Sequence, residues 1–184
     1  DVYGEPLEIE RGNAGERRTY DVYGNVTSSV QLDRSGNPAK TEEGYTSVTY
    51  EYDNFRQLLR TNYLDENGAP FELEEGYSAI RNTYDGRRRV VLVEYLNAQD
   101  ALCELDEEGY AAVRSEYDDR TGWKLRDTYL GADGQVTVTE DGYSAVVYTY
   151  DEATGKKLKD SYLDAQGNPV VCEEGYAGIA YEYD

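Results

Sequence analysis

The side chains able to do chemistry in this chain are acids and tyrosines, and what stands beside them limits their use. Histidine is absent, which removes the commonest general base, the usual activator of a serine or cysteine nucleophile and the leading zinc ligand together. Ser-His-Asp and Cys-His catalysis are thereby excluded. The 38 acidic residues leave a carboxylate pair for glycoside hydrolysis formally open. Such a pair needs two carboxyl groups in different environments, whereas the acids here recur at equivalent, solvated turn positions. The expectation is a protein without enzyme activity.

Binding chemistry is better served. Turns containing Asp65, Asp133 and Asp164, some followed by Glu74-Glu75 or Glu173-Glu174, carry oxygen ligands of the kind calcium takes. They match neither the twelve-residue EF-hand loop nor the glycine-aspartate nonapeptide, and the plainer reading is that Asp and Gly shape the turns; no other cofactor is expected. The second candidate is a row of tyrosines, Tyr45, Tyr77, Tyr110, Tyr143 and Tyr176, each directly after a glycine, together with the single tryptophan, Trp123. Exposed aromatic rows with acidic neighbours suit sugar rings or cationic groups. The plainer reading of the Gly-Tyr tyrosines is packing over a neighbouring unit.

The positions of these residues expose the organisation that must hold them. Gly-Tyr recurs with a period of about 33 residues, Tyr-Asp follows eight residues after each glycine at Tyr52, Tyr84, Tyr117, Tyr150 and Tyr183, and Tyr-Leu marks Tyr63, Tyr95, Tyr129 and Tyr162. A period near 33 also suits helical repeats. The alternation here has period two, however: Val48, Tyr50 and Tyr52 face one way and Thr49 and Glu51 the other, as in a strand with one face buried. The second strand of each pair turns Leu59, Thr61, Tyr63, or Leu125, Asp127, Tyr129, or Leu158, Asp160, Tyr162, to the same side. Asp-x-x-Gly-x-Pro stretches such as Asp65–Pro70 and Asp164–Pro169 have type I turn chemistry closed by a glycine at positive φ. The fold expected is all-β, a tandem β-hairpin array of about five units, solenoid-like or an extended twisted antiparallel sheet. Drawn at the Tyr-Asp tyrosines, the units are a partial 1–20, then 21–52, 53–84, 85–117, 118–150 and 151–184. The N-terminal repeat, which crosses the first of these boundaries, is divergent, with Asn13 after Gly12 and Gln31 at a strand-tyrosine place.

Tyr148–Leu158, reading Tyr-x-Tyr-Asp-x-x-x-Gly-Lys-x-Leu, and Tyr162–Pro169, reading Tyr-Leu-Asp-x-x-Gly-Asn-Pro, resemble the tyrosine-aspartate (YD, or RHS-like) repeats of bacterial surface and toxin-associated proteins. The likeness extends over nearly the whole chain. It implies a β-hairpin array of a secreted or cell-surface protein; the period is longer than usual for that family and the Gly-Tyr segment is additional to its motif. No activity is implied.

Charge limits the partners. A net charge of −20 repels phosphate backbones and anionic lipid, so nucleic acid is not an expected partner, and Arg87, Arg88 and Arg89 read as a solvated turn and strand edge. No stretch reaches the roughly 20 apolar residues of a membrane span. Cys103 and Cys172 stand at different phases of the repeat and read as small apolar residues, not as a disulfide. The remaining expectation is a monomeric fragment of a longer extracellular or cell-surface chain. Its role is that of a structural or interaction module with a protein, cell-wall or glycan partner; alternatives are a carbohydrate-binding array using the exposed tyrosines and a calcium-stiffened stalk.

Overall fold

The computed structural model describes residues 15–183, so the Gly12-Asn13 departure lies outside the described residues. Among them there is no helix. The strands are β1 (Gly15–Tyr20), β2 (Val26–Leu32), β3 (Ser47–Tyr52), β4 (Leu58–Leu64), β5 (Ala79–Tyr84), β6 (Val90–Leu96), β7 (Ala112–Tyr117), β8 (Lys124–Leu130), β9 (Ala145–Tyr150), β10 (Lys157–Leu163) and β11 (Gly178–Ala180). They hydrogen-bond in chain order within one open antiparallel sheet, the all-β hairpin array that the period-two pattern requires. By contacts the chain divides into two compact units. One holds the residues up to Asn82 with Leu96–Ala101, the other Thr83–Tyr95 and the residues from Leu102 onward.

Each tight hairpin turn is built by the aspartate of Tyr-Asp. The Oδ1 of Asp53 accepts the amides of Phe55 and Gln57, both at 2.8 Å, and Asp85 does the same for Arg87 and Arg89 at 2.8 and 2.9 Å. This Asx geometry mimics a backbone turn and fixes its length. Boundaries drawn at the Tyr-Asp tyrosines therefore fall at the tight turns, inside the hairpins. The positive-φ place of the turn is glycine at Gly24, Gly122 and Gly155 but arginine at Arg56 (φ 66) and Arg88 (φ 65), where a side chain costs roughly 1 kcal/mol or more.

Where the hairpin closes, the register slips. Thr149 pairs with Lys159 but Tyr150 with Lys157, and Glu116 pairs with Arg126 but Tyr117 with Lys124. Leu158 and Leu125 are thus the extra residues of β-bulges, as are Leu59 and Thr27. A bulge residue has no partner opposite it, and Leu125 and Leu158 are 39% and 42% exposed. The inward assignment of these two leucines from strict alternation is corrected accordingly: alternation assumes an unbroken ladder, and the ladder breaks one residue before them.

The bulge also frees a strand carbonyl, and the next hairpin uses it. Tyr52 donates its hydroxyl to the Val26 carbonyl at 3.0 Å, Tyr117 to Val90 at 2.9 Å, Tyr150 to Lys124 at 2.9 Å and Tyr183 to Lys157 at 2.7 Å. The Leu58 carbonyl accepts from the side-chain amide of Asn82, at 3.0 Å. Each Tyr-Asp tyrosine of this set is therefore a lateral tie between hairpins as well as the start of its own turn. The longer connectors keep their backbone paired too: Leu73, Leu105, Thr139 and Cys172 donate their amides to the carbonyls of Tyr77, Tyr110, Tyr143 and Tyr176. Removing one lateral hydroxyl should cost what a net hydrogen bond is worth. Tyr117→Phe is expected to lower unfolding stability by about 1 kcal/mol and Tyr117→Ala by about 3 kcal/mol, since the ring goes too; urea denaturation measures both, and equal losses would show that the hydroxyl contributes nothing.

Candidate functional site

The Gly-Tyr tyrosines do not form a row of their own. They interleave with the Tyr-Leu tyrosines in continuous ring contacts. In the first compact unit Tyr45 meets Tyr63 edge-on, with ring centroids 5.2 Å apart, and Tyr63 meets Tyr77 at 5.9 Å. In the second, Tyr95, Tyr110, Tyr129, Tyr143, Tyr162 and Tyr176 follow one another at centroid distances of 6.1, 4.8, 5.7, 4.5 and 5.8 Å. Most of these contacts are tilted or T-shaped, the arrangements that the ring quadrupole favours; Tyr143 and Tyr162 are stacked. The order arises because Tyr63 and its equivalents are strand residues facing Val48 and its equivalents, while the glycine-tyrosine corner swings the next ring over them. Tyr162, Val146 and Cys172 are buried together, with Tyr129, Tyr143 and Tyr148 packed against them. Of the five Gly-Tyr rings, Tyr176 is exposed and the other four are half-buried.

Burial sets the ionisation of these rings. The Tyr129 hydroxyl is pushed up to about 12 by desolvation first and by the Asp127 charge second. Desolvation likewise raises Tyr45, Tyr63, Tyr110 and Tyr143. They are neutral hydroxylated rings at ordinary pH, able to donate or accept a hydrogen bond but not to act as bases.

Trp123 caps a neighbouring tyrosine. It stacks on Tyr150 at 5.0 Å and 28°, the place where Arg89 lies over Tyr117 at 4.9 Å and Lys156 over Tyr183 at 4.6 Å. One π contact has replaced cation–π contacts of the same geometry. The indole lies so close to the next turn that a Cβ on Gly155 (φ +73) would stand 3.2 Å from its Cζ2. One face of Trp123 is thus committed to the array.

Alternation alone assigns no role to two buried carboxylates. Asp127 accepts from Ser115 Oγ at 2.5 Å and Tyr148 OH at 2.7 Å, and pairs with Lys124 Nζ at 3.1 Å. Asp160 takes Tyr181 OH at 2.7 Å and Lys157 Nζ at 2.8 Å, its Oδ1 remaining unpartnered because the residue opposite, Tyr148, spends its hydroxyl on Asp127. The signal was present in the sequence: each inward aspartate has a lysine three residues before it and the first tyrosine of Tyr-x-Tyr-Asp 21 residues after it. These groups tie hairpins together in a site where a lone charge would be costly.

The three aspartates weighed for calcium lie in separate turns. Asp65 accepts the amides of Asn67 and Ala69, Asp164 those of Gln166 and Asn168, and Asp133 that of Gln135. Among the described residues no three acidic, cysteine or histidine side chains converge in a way that would hold an ion. The amide hydrogen bonds hold Asp65 and Asp164 below the usual carboxylate range, through Ala69 and Asn168 respectively in the first place. Arg89, in the basic run, is ion-paired to Asp85 at 2.6 Å and Asp119 at 3.0 Å. Cys103 and Cys172 are free thiols, and no described helix is long and apolar enough to cross a membrane.

No family model matches the chain, and no curated protein matches it. Similar solved structures include a crystal structure of TcdB2-TccC3-Cdc42, 13% identical with a TM-score of 0.44 over 89% of this chain, and one of TcdB2-TccC3-TEV, 13% identical with a TM-score of 0.41 over 86%. A third is ASR alternansucrase in complex with isomaltononaose, 20% identical with a TM-score of 0.19 over 86% of this chain. The chain spans 8%, 9% and 13% of those chains respectively. Superpositions this loose carry no function across.

The two sets of shifts define a pH window. Tyrosines raised on folding stabilise fully below their unfolded value of about 10 and lose that contribution as pH climbs through their higher folded values. Turn aspartates lowered on folding stabilise above their unfolded value of about 3.9 and lose that contribution as pH falls through their lower folded values. Melting temperature is expected to be level between, to fall on both sides, and on the alkaline side to fall together with the rise of tyrosinate absorbance. Tyrosinate absorbance reaching its full height at the ordinary pH of tyrosine with the fold intact would contradict the burial of the ladder.

Proposed function

We propose that this chain is a non-catalytic structural and interaction module of a secreted or cell-surface bacterial protein, serving as a spacer, an adhesin segment or a protein-binding surface. The observation that carries the reading is the lateral tie: tyrosine hydroxyls and rings are spent on neighbouring hairpins, so the groups most suited to chemistry are committed to making the array. The missing histidine and the engagement of turn aspartates by their own backbone amides support the absence of catalysis. The resemblance to tyrosine-aspartate repeats supports the placement outside the cell. A charge of −20 suits a solvated surface segment, since like charge discourages self-association.

Antibodies against the array test the placement. They are expected to label intact cells of the source organism as strongly as permeabilised ones; labelling confined to permeabilised cells would contradict it. Under force the array is expected to give way in successive steps of one repeat, each releasing on the order of 110 Å of chain for about 33 residues. A single release of the whole length would argue against a spacer made of separable hairpins.

A further inference from the structure

The face of the sheet opposite the tyrosine ladder carries a cavity of about 180 Å³ in the first compact unit. Its polar wall consists of Thr49, Arg60, Asn62, Ser78, Asn97 and Asp100, and Leu64, Pro70 and Ala79 give it an apolar side. Thr49 and Asn62 are opposite each other on β3 and β4, and Ala79 faces Asn62 from β5. The backbone of the sheet therefore fixes the floor.

The wall is ordered by its own hydrogen bonds. Arg60 donates Nε to Asn62 Oδ1 at 2.6 Å and a terminal nitrogen to Asp100 Oδ1 at 2.5 Å, while Asn62 Nδ2 reaches Thr49 Oγ1 at 3.1 Å. Within this set the Arg60 and Asp100 charges are paired with each other. A charged ligand would have to break the Arg60–Asp100 pair, whereas hydroxyl groups can join it as donors and acceptors at once.

One feature of the cavity, Asp100, departs from the repeat. The Ser78 hydroxyl at the cavity margin is buried without a partner, as are those of Thr46 and Ser144 at the same repeat position, so it belongs to the hairpin corner and not to the cavity. Asp100, at φ 64, occupies the turn place that glycine fills at Gly36, Gly68, Gly134 and Gly167. A side chain is thus kept in a left-handed conformation, and its carboxylate holds Arg60 over the cavity.

We propose that this cavity binds a small neutral polyhydroxylated ring, a single sugar residue of a glycan, with Asp100, Arg60 and Asn62 hydrogen-bonding its hydroxyls and Pro70, Leu64 and Ala79 meeting its apolar side. The volume corresponds to several water molecules at about 30 Å³ each, the scale of one such ring. The site is separate from the tyrosine ladder and does not depend on the scaffold reading, which stands whether or not a sugar is held here.

The test is a titration of the isotope-labelled protein with the methyl glycosides of glucose, galactose, mannose and N-acetylglucosamine, followed by NMR, with sodium acetate and methylammonium as charged comparisons. At least one glycoside is expected to move the side-chain amide signals of Asn62 and Asn97, with a dissociation constant on the order of millimolar. Asp100→Gly is expected to weaken that binding at least tenfold without lowering the melting temperature, because glycine suits the turn. The proposal is overturned if no glycoside moves these signals, if Asp100→Gly binds as tightly as the parent, or if acetate or methylammonium occupies the cavity in preference to every glycoside.

Discussion

A lone antiparallel hairpin with tyrosines on one face has nowhere to put them, and the rest of this structure follows from that constraint. Two strands are too narrow to cover aromatic rings, so burial has to come from the next hairpin. The chain supplies it twice in each repeat. The Gly-Tyr ring swings over the strand tyrosine of its neighbour, and the Tyr-Asp hydroxyl takes the carbonyl that the neighbour's bulge leaves free, as Tyr150 does at Lys124. A phenol is suited to both tasks, having a broad apolar body and a polar tip. Phenylalanine would pack but leave the carbonyl bare, which explains why a chain with 20 tyrosines holds 2 phenylalanines.

The same economy governs the charges. Turn aspartates serve their own backbone amides, and the buried pairs Asp127–Lys124 and Asp160–Lys157 join hairpins through Tyr148 and Tyr181. What is left on the outside is acidic and solvated. The array has few unspent groups, so the departures from the repeat stand out. Arg56 at positive φ lies over the Tyr23 ring, and Asp100 at positive φ holds Arg60. Function in a repeat protein is best sought at such exceptions, because the regular positions are accounted for by stacking.

Much of the architecture was legible in the residues. Period-two alternation, Tyr-Asp followed by a turn, and Asp-x-x-Gly-x-Pro placed the strands and the connectors, because each of those signals acts within a few residues. The bulges were not legible: a bulge is a property of two paired strands, and Leu125 and Leu158 continue the alternation of their own strands perfectly well. The interleaving of Tyr45 with Tyr63 was hidden for the same reason, since the two belong to different phases of the repeat and meet only when the corner at Gly44 turns the chain. Trp123 was legible as an exception but not as a cap, as its role is defined by Tyr150 in the next hairpin. The cavity beneath Asp100 depended on a connector folding over the sheet, and the only trace of it in the sequence is an aspartate at a place where other repeats have glycine.

The central claim is that neighbouring hairpins stabilise one another through shared tyrosines, so that no hairpin is stable by itself. Chains cut to two, three, four and five hairpins, unfolded in urea under one set of conditions, test it directly. Stability and the denaturant slope are predicted to rise by a near-constant increment with each added hairpin, from little or no stability at two. Stability that is already complete at two hairpins and does not change on adding more would contradict the account.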